Sequence, residues 1–428
     1  MKHHPFAILA SLMLLCAPAP KAQEHVEYID DESCGCELVF IDGIQTTQNG
    51  ELFGFKRADG TVIADNIYRF VDKFHGNYCR VYRDYGQAGL IDRQGNEVVP
   101  CIYQEVNYPT ENRILILNDQ GLYGYYDTLG RLAIPFTWRA ASSFNEGMAV
   151  VAVDIDSTLV QYGFIDPQGR IVIAPRFEYA KPFIDGFAVV KNYDRYGLIN
   201  ARGHEVITPK YEFITDVYQG IFFAGNDGNV ALFNTRAKQL TPMSYTQFGL
   251  AGGGLIPVCR DTLWGYIDLA GREVIPCQYQ TAYSFTDQRA AVQKAGHWGI
   301  IDTKGNIILP LQFDHSGFRG EAYIYHDGMA LIERDGRFGY ANHEGQIVVW
   351  PCFTNAYQFA EGVASVTMGS GWGYINPQGD FVIPTLFDMA SPFEYGRSEV
   401  VYRGQVFMID HNAKCVKNCK NAPASWNN

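Results

Sequence analysis

The sequence is short of positive charge. It has 428 residues, with 34 Lys and Arg against 46 Asp and Glu, which gives a formal net charge of −12 at pH 7. No run of basic residues interrupts this acidic composition. Proteins that bind phosphate backbones or anionic lipid surfaces present clustered positive charge. We therefore expect neither a nucleic-acid partner nor a peripheral membrane surface.

The sequence also lacks a long apolar segment. The apolar run at residues 6–16 has about a dozen residues, whereas a membrane-spanning helix needs about 20. This run follows the basic Lys2 and precedes alanines and prolines that end at Ala22, which is typical of a secretory signal peptide. We predict that residues 1–22 are removed and that no transmembrane span remains.

Lipid attachment at Cys16 is the alternative form of export. It is disfavoured because Leu15 is bulky at a position where lipoprotein processing requires a small residue. Either route predicts an exported protein in the periplasm, on the cell surface or outside the cell.

Common catalytic and metal-binding patterns are missing as well. The sequence has no His-Glu-x-x-His and no Gly-x-Ser-x-Gly. Asp154 and Asp156 lack further ligands at calcium-loop spacing, and the glycines at 252–254 lack the helix that a phosphate-binding loop precedes. We expect no enzymatic activity, no cofactor and no metal site.

What the sequence has in abundance is glycine and aromatics: 43 Gly, 27 Tyr and 27 Phe. Residues 263–276, 297–310 and 371–384 share one pattern, Trp-Gly-x-Ile-Asp/Asn-x-x-Gly-x-x-Val/Ile-Ile/Leu-Pro. The first glycine of this pattern recurs every 34 to 40 residues, apart from one step of 68. These anchor glycines are Gly54, Gly89, Gly124, Gly163, Gly197, Gly265, Gly299, Gly339 and Gly373.

The step of 68 residues equals two repeats, so we predict a degraded copy near residues 228–258. That makes ten copies over about residues 50–402. A second glycine follows every anchor by six residues, and an aromatic residue follows it by fourteen. A Phe at the twentieth position recurs in six copies. Agreement in phase over this many copies indicates a tandem repeat protein.

The pattern resembles the WG-repeat family, which is named after its Trp-Gly dipeptide. Three copies carry the dipeptide itself, at Trp264, Trp298 and Trp372, and Phe or Tyr replaces the Trp in most others. The resemblance implies a bacterial β-rich repeat protein that is exported or attached to other modules. It implies no known enzymatic activity and transfers no catalytic residue.

One copy predicts its own structure. Residues 264–267 form a strand, Asp268 to Gly271 form a turn, and a return strand ends at Pro276. A connection of about ten residues then leads to a third strand. We predict an all-β fold, a tandem array of about ten three-stranded units of ~34 residues, closed as a propeller-like ring or open as a β-superhelix.

The predicted organisation has four parts. They are a signal peptide at 1–22, an N-terminal segment with one strand at 23–49, the repeat array at 50–402, and a partial repeat with a C-terminal tail at 403–428.

The aspartates three residues after the anchors could suggest a metal or acid–base site. Asn replaces Asp in several copies and the turn itself requires such a residue, so we interpret the series as turn residues. The Trp residues of the dipeptide could stack on sugars, but their fixed phase favours packing in the core.

Nine cysteines remain after the signal peptide, and an odd number leaves at least one thiol free or in an intermolecular bond. We assign Cys79 and Cys259 to one repeat phase and Cys101 and Cys277 to another. This interpretation predicts two equivalent disulfides, Cys79–Cys101 and Cys259–Cys277. A second hypothesis is a cross-link between the pairs that flank the array, Cys34/Cys36 and Cys415/Cys419.

Insertions in the repeat are the places where a partner could bind. The insertion at residues 315–327 contains Tyr323, Tyr325 and His326, which the repeat pattern does not account for. We predict these three residues as a binding site. The predicted function is a non-enzymatic binding or scaffolding module for another protein, and the alternative is a carbohydrate-binding surface or secreted protein.

Overall fold

The computed structural model describes residues 26–31, 36–156, 159–314, 325–419 and 422–423, with side chains from residue 40 onward. Within these ranges the chain forms 44 β-strands and no α-helix, which confirms the all-β prediction. The predicted signal peptide, Cys16 and Tyr323 lie outside the described residues. The chain divides into two compact bodies, residues 1–239 and 240–428.

The strands of the N-terminal body are β1 (Val26–Asp31), β2 (Cys36–Ile41), β3 (Ile44–Asn49), β4 (Leu52–Arg57), β5 (Val62–Tyr68), β6 (Phe70–Val71), β7 (Tyr78–Tyr82), β8 (Ala88–Asp92), β9 (Glu97–Tyr103), β10 (Glu105–Val106), β11 (Arg113–Leu117), β12 (Tyr123–Asp127), β13 (Leu132–Trp138), β14 (Ala140–Ala141), β15 (Ala149–Asp154), β16 (Val160–Ile165), β17 (Ile171–Phe177), β18 (Tyr179–Ala180), β19 (Phe187–Asn192), β20 (Arg195–Asn200), β21 (Glu205–Tyr211), β22 (Phe213–Ile214), β23 (Ile221–Asn226) and β24 (Asn229–Asn234).

The strands of the C-terminal body are β25 (Gln247–Phe248), β26 (Leu255–Arg260), β27 (Leu263–Asp268), β28 (Glu273–Tyr279), β29 (Thr281–Ala282), β30 (Arg289–Lys294), β31 (His297–Asp302), β32 (Ile307–Phe313), β33 (Tyr325–His326), β34 (Met329–Arg334), β35 (Arg337–Asn342), β36 (Ile347–Phe353), β37 (Asn355–Ala356), β38 (Ala364–Thr367), β39 (Trp372–Ile375), β40 (Phe381–Phe387), β41 (Met389–Ala390), β42 (Ser398–Tyr402), β43 (Gln405–Ile409) and β44 (Cys415–Lys417).

These strands form eleven small antiparallel sheets in chain order, which we number 1 to 11. Sheet 1 contains β1 to β5, sheet 6 contains only β22 to β24, and each other sheet contains four consecutive strands. Sheets 1–6 belong to the N-terminal body and sheets 7–11 to the C-terminal body. In the described part of the chain, none of these sheets closes into a barrel.

The predicted three-stranded unit gains a fourth strand. The connection after each return strand is long enough to pair two residues with the third strand, as where Ala140 pairs with Ala152 in sheet 4. The backbone N–H of Arg139 extends this pairing to the carbonyl of Ala152 at 2.9 Å. Each typical sheet therefore begins with the end of one sequence repeat and continues with the next.

The anchor glycine lets the return strand cross close to its neighbour. In sheet 7 a Cβ on Gly265 would lie 2.5 Å from the carbonyl oxygen of Ile275 and 2.6 Å from the nitrogen of Cys277. The strand pairing shifts register on both sides of Tyr266, as in a β-bulge. Only a residue without a side chain fits at this crossing.

The second glycine closes the predicted turn. Gly271 has a φ of 82°, a left-handed conformation that favours glycine. The carboxylate of Asp268 accepts hydrogen bonds from the backbone N–H groups of Ala270 and Arg272, at 2.9 and 2.8 Å. The same two bonds recur at most of the other aspartates and asparagines of the series, as at Asp92 and Asn200. The prediction that they are turn residues is confirmed.

The recurring aromatics fill the core of each sheet. At the fourteenth position Phe177, Phe313 and Phe387 are at most 1% exposed, and at the twentieth position Phe183 is fully buried. Of the three dipeptide tryptophans, Trp298 is 2% exposed and stacks on Tyr283, whereas Trp264 and Trp372 are half-buried and pack against the core clusters of their sheets. Burial of each such side chain contributes about 1.5–3 kcal/mol relative to exposure. These residues therefore provide much of the stability.

The degraded copy lies where the repeat spacing places it, in sheet 6. Ala231 stands 34 residues from both Gly197 and Gly265 and pairs with Ala224, so it occupies the anchor position. The turn position carries Ala237 with a φ of 62°. Sheet 6 has no return strand.

Both ends of the array differ from the prediction. The segment 23–49 contains β1, β2 and β3 rather than one strand, because residues 36–49 fold back as a second hairpin on the first. At the other end β43 and β44 complete sheet 11, so the partial repeat forms a full sheet. Its return strand β44 has three residues instead of seven.

The structure contradicts the predicted Cys79–Cys101 and Cys259–Cys277 disulfides, since all four thiols are free. Strand β8 separates the first two cysteines, and β27 separates the second two. Strands lie about 4.8 Å apart, so residues two strands apart are about 9.5 Å from one another, whereas a disulfide requires Cα atoms within about 7 Å.

Cys415 and Cys419 form a disulfide with each other. They are therefore not available for the predicted cross-link to Cys34 or Cys36. Cys415 is 7% exposed and packs in the core of sheet 11, where this bond holds the short return strand.

Candidate binding surface

Two of the three predicted binding residues belong to a short strand rather than to an exposed loop. Tyr325 and His326 form β33, which pairs with Ala330 and Met329 of sheet 9. The Tyr325 ring lies 4.7 Å from that of His343, and burial raises the pKa of its hydroxyl to about 12. Both residues are half-buried, and a role for them in partner binding stays a prediction.

The carboxylates of the turn series are engaged with their own backbone. Partial desolvation raises the pKa of Asp127, but the backbone N–H and guanidinium of Arg131 outweigh it and hold this pKa below its ordinary value. The described ranges contain no group of three His, Cys, Asp or Glu side chains that could hold a metal ion.

A second carboxylate series joins neighbouring sheets and was not predicted. Glu146 accepts hydrogen bonds from the backbone N–H groups of Asp185 and Gly186, at 2.7 and 2.8 Å. The carboxylate of Asp185 in turn accepts a hydrogen bond from the backbone N–H of Gln219 at 2.7 Å. The carboxylate of Glu361 likewise accepts one from the backbone N–H of Gly396 at 2.9 Å. These residues occupy the tight turn before the third strand. The sequence signal is an acidic residue that precedes glycine at this turn, as in Glu146-Gly147.

The return strands supply the exposed apolar surface. Each is the last strand of its sheet and pairs on one side only, so it forms an edge. In β40, Ile383 and Phe387 point into the core, whereas Phe381, Val382 and Leu386 are 42–48% exposed. The first two positions of the return strand thus face outward.

In the C-terminal body at least one of these two positions is apolar in four consecutive sheets. We define the apolar strip as six exposed residues of sheets 7 to 10, which are Val274, Ile307, Val348, Trp350, Phe381 and Val382. Adjacent sheets are in contact along the strip. The turn at Gly379 packs against Val349, and the rings of Phe353 and Phe381 are 6.3 Å apart.

Trp350 is the most prominent residue of the apolar strip, with 61% of its surface exposed. It stands eleven residues after its anchor glycine, where sheets 7, 8 and 10 carry Pro276, Pro310 and Pro384. A proline cannot donate a ladder hydrogen bond, and at an edge it discourages pairing with another strand. Sheet 9 presents a large aromatic side chain there instead.

The side chains of β36 on either side of Trp350 carry no charge. Val348, Trp350 and Cys352 alternate along β36 and are all exposed, and Cys352 carries a free thiol. Sequence reasoning missed Trp350 because it considered only the tryptophans of the Trp-Gly dipeptide. Its position outside that phase was the available signal.

Small antiparallel sheets in tandem, tied by repeated turns and aromatic cores, define a β-repeat protein. The WG containing repeat family matches residues 89–120, 123–154, 162–196, 196–229, 264–296, 298–337, 338–371 and 372–405. The chain belongs to this family, and these matches cover well over half of it. They leave out sheet 1 and most of the segment between Asn229 and Trp264.

No curated protein matches this chain at a significant level. Among solved structures, the computationally designed Ika8 protein is 13% identical, with 63% of this chain and 93% of that one covered and a TM-score of 0.30. A eukaryotic initiation factor is 12% identical, with 62% and 86% covered and a TM-score of 0.37.

The extracellular domain of a B. thetaiotaomicron protein described as a hybrid two-component system is 10% identical, with 88% and 68% covered and a TM-score of 0.22. TM-scores this low assign neither a fold nor a function.

Proposed function

We propose that this protein is a non-enzymatic binding or scaffolding module that holds another protein against the apolar strip. The observation that carries the proposal is Trp350, a tryptophan that is 61% exposed on an edge strand and is flanked by exposed aliphatic residues. A contiguous exposed apolar patch on a soluble protein marks an interaction site more often than it occurs by accident.

The geometry of the strip suits a protein partner. Each of the four sheets contributes one or two of its residues, so a partner that lies across several sheets contacts them together. Tryptophan is enriched among residues that dominate binding energy, and truncation of such a residue typically costs roughly 2 kcal/mol or more. Trp350 is therefore the expected centre of the interface, with Phe381 and Val348 beside it.

We further propose that the protein works in the cell envelope or outside the cell. The predicted signal peptide supports export, and the Cys415–Cys419 disulfide is compatible with an oxidising compartment. Separately, none of the described residues forms a helix long and apolar enough to cross a membrane.

The test is capture of partners from native envelope and growth medium, with the chain from Gln23 as bait. Trp350→Ala is compared with Tyr193→Ala, which removes an aromatic side chain that is 89% exposed in the N-terminal body. We expect a specific protein on the wild-type chain and on the Tyr193 variant, and at least about a tenfold loss on the Trp350 variant.

Two results would count against the proposal. Equal capture by the Trp350 variant would remove the strip from the interface. Capture of glycan without protein, or capture that free glycan abolishes, would favour the carbohydrate-binding alternative. Equal melting temperatures of the three chains would show that neither substitution acts through folding.

A further inference from the structure

Sheet 1 contains a cavity that lies far from the apolar strip in the sequence. Its volume is about 350 Å³, within the range of small-molecule pockets. It opens between the β2–β3 turn and the connection between β6 and β7 of sheet 2. Its lining includes Asp42, Gln45, Thr46 and Lys73 on the polar side and Phe55 and Phe74 on the apolar side.

Polar residues line this cavity at positions where another sheet has core residues. In sheet 1, Gln45 pairs with the residue that stands two positions after the anchor glycine of that sheet. In sheet 5, Ala188 occupies the equivalent position, because it also pairs with the residue two positions after the anchor glycine. By the same register Thr46 corresponds to Val189. Ala188 and Val189 are at most 2% exposed, whereas Gln45 is half-buried and Thr46 is exposed. The exchange of apolar for polar residues opens the core of sheet 1 to a polar molecule.

One of these polar groups lacks a hydrogen bond. The side-chain oxygen of Gln45 is shielded from solvent, and no donor in the described part of the chain reaches it. Buried acceptors in folded proteins nearly always have a partner. An unpaired acceptor on a cavity wall therefore points to a ligand that donates a hydrogen bond.

Two lining residues are held in place from outside the cavity. The guanidinium of Arg93 lies 3.6 Å from the carboxylate of Asp42 and 5.4 Å from the ring centre of Phe74. Phe74 also meets Phe55 edge to face at 5.2 Å. The polar and the apolar wall are thus fixed before a ligand enters.

We propose that this cavity binds a neutral polyhydroxylated molecule of about monosaccharide size, either free or as the end of a glycan. The lining holds one carboxylate and one ammonium group, and the Arg93 guanidinium lies beside that carboxylate, so the cavity presents no cluster of like charges that would require a highly charged ligand. It offers both donors and acceptors, as hydroxyl groups require, and aromatic carbon for the apolar face of a sugar ring. This proposal does not depend on the protein-binding role of the apolar strip.

The test is titration of the whole mature chain with D-glucose, D-galactose, D-mannose and N-acetyl-D-glucosamine, followed by calorimetry and ligand-observed NMR. Each sugar is tested free and as its methyl glycoside. We expect one sugar to bind, and Gln45→Leu to weaken its affinity at least about tenfold because an acceptor is lost. Retained binding of the glycoside identifies a glycan end, and its loss identifies the free sugar.

Two further variants show whether a sugar occupies this cavity. Gln48→Leu changes an exposed glutamine of the same strand, which bonds to Gly50, and should bind like wild type. Trp350→Ala should also bind like wild type, so this test and the capture experiment fail independently. Absence of binding by every sugar at millimolar concentration, or equal affinity of Gln45→Leu and wild type with equal melting temperatures, would overturn the proposal.

Discussion

Sheets 6 and 7 follow each other in the chain and differ at the anchor position of the repeat. Sheet 7 has Gly265 at the anchor and a return strand of seven residues, whereas sheet 6 has Ala231 and no return strand. A Cβ at Gly265 would overlap the backbone of the return strand. A single methyl group at the anchor is therefore incompatible with the crossing that the other sheets make.

The other sheets follow the same rule. All nine sheets with an anchor glycine have a return strand of seven residues. Sheet 11 carries Phe407 at the anchor position, where it pairs with Val400, and its return strand is shortened to three residues. The disulfide between Cys415 and Cys419 lies where the rest of that strand would run. The anchor glycine thus determines how much of the fourth strand can form.

Gly265→Ala would test this rule most directly and should have the largest effect. The new methyl group must displace the backbone near Ile275, and overpacking of this kind costs about 1–3 kcal/mol or more. We expect a lower melting temperature and faster hydrogen exchange at the amides of β28. The matched control is Ala231→Gly in sheet 6, where we expect a change of at most about 1 kcal/mol. Equal effects of the two variants would refute the rule.

A smaller effect on stability is expected when the residue that follows the anchor glycine is substituted. Tyr266 is fully buried and donates a hydrogen bond from its hydroxyl to the carbonyl of Tyr283 at 2.8 Å, and Tyr340 repeats this bond with Tyr357. Sheet 6 has Leu232 at this position. Tyr266→Phe leaves a partly buried carbonyl without this donor, which should lower the free energy of unfolding by about 1–2 kcal/mol.

Urea denaturation measures this loss, and Tyr193→Phe is the control because Tyr193 is 89% exposed. An unchanged denaturation midpoint for Tyr266→Phe would mean that the hydroxyl makes no net contribution to stability.

The smallest effect is expected on the loss of stability at low pH. Regular turns use Asp127, Asp166 or Asp268, whose pKa values are lowered, whereas the turn of sheet 6 uses Asn234 with the same two backbone bonds. A carboxyl with a lowered pKa in the folded state stabilises the protein above its unfolded pKa of about 3.9. This contribution is lost as the pH falls through the folded pKa.

Asp127→Asn should therefore change the melting temperature little at pH 7, because Asn forms the turn elsewhere in this chain. As the pH falls from about 5 through the unfolded pKa of about 3.9 and then through the lower folded pKa, the variant should lose less stability than wild type. Parallel pH profiles of the two chains would contradict the assignment of acid sensitivity to this turn.

The repeated elements of the fold could be predicted from the sequence because each has a local cause. The turns need Asp or Asn followed by glycine, and the core needs an aromatic residue at a fixed phase. The degraded copy followed from spacing alone, although Ala231 was not recognised as its anchor. The two-residue strands could not be predicted, because two paired residues inside a connection leave no alternation or turn pattern of their own.

The cysteine predictions failed because sequence phase was assigned too loosely. Cys79 pairs with Ile91, two residues after an anchor, whereas Cys259 pairs with Trp264, one residue before an anchor. The two are not equivalent, and a strand separates each from its predicted partner. The apolar strip and Gln45 were also missed, because exposure and an open core become visible only when the sheets are packed.

The typical sheet takes its first two strands from one sequence repeat and its last two strands from the next. Loss or duplication of one whole repeat between two anchors would therefore join two compatible halves into another complete sheet. Such a gene can change its number of copies by recombination without creating an unfinished sheet in the middle of the array. The length of the protein is thus open to evolution at every internal junction where both neighbours keep the anchor glycine.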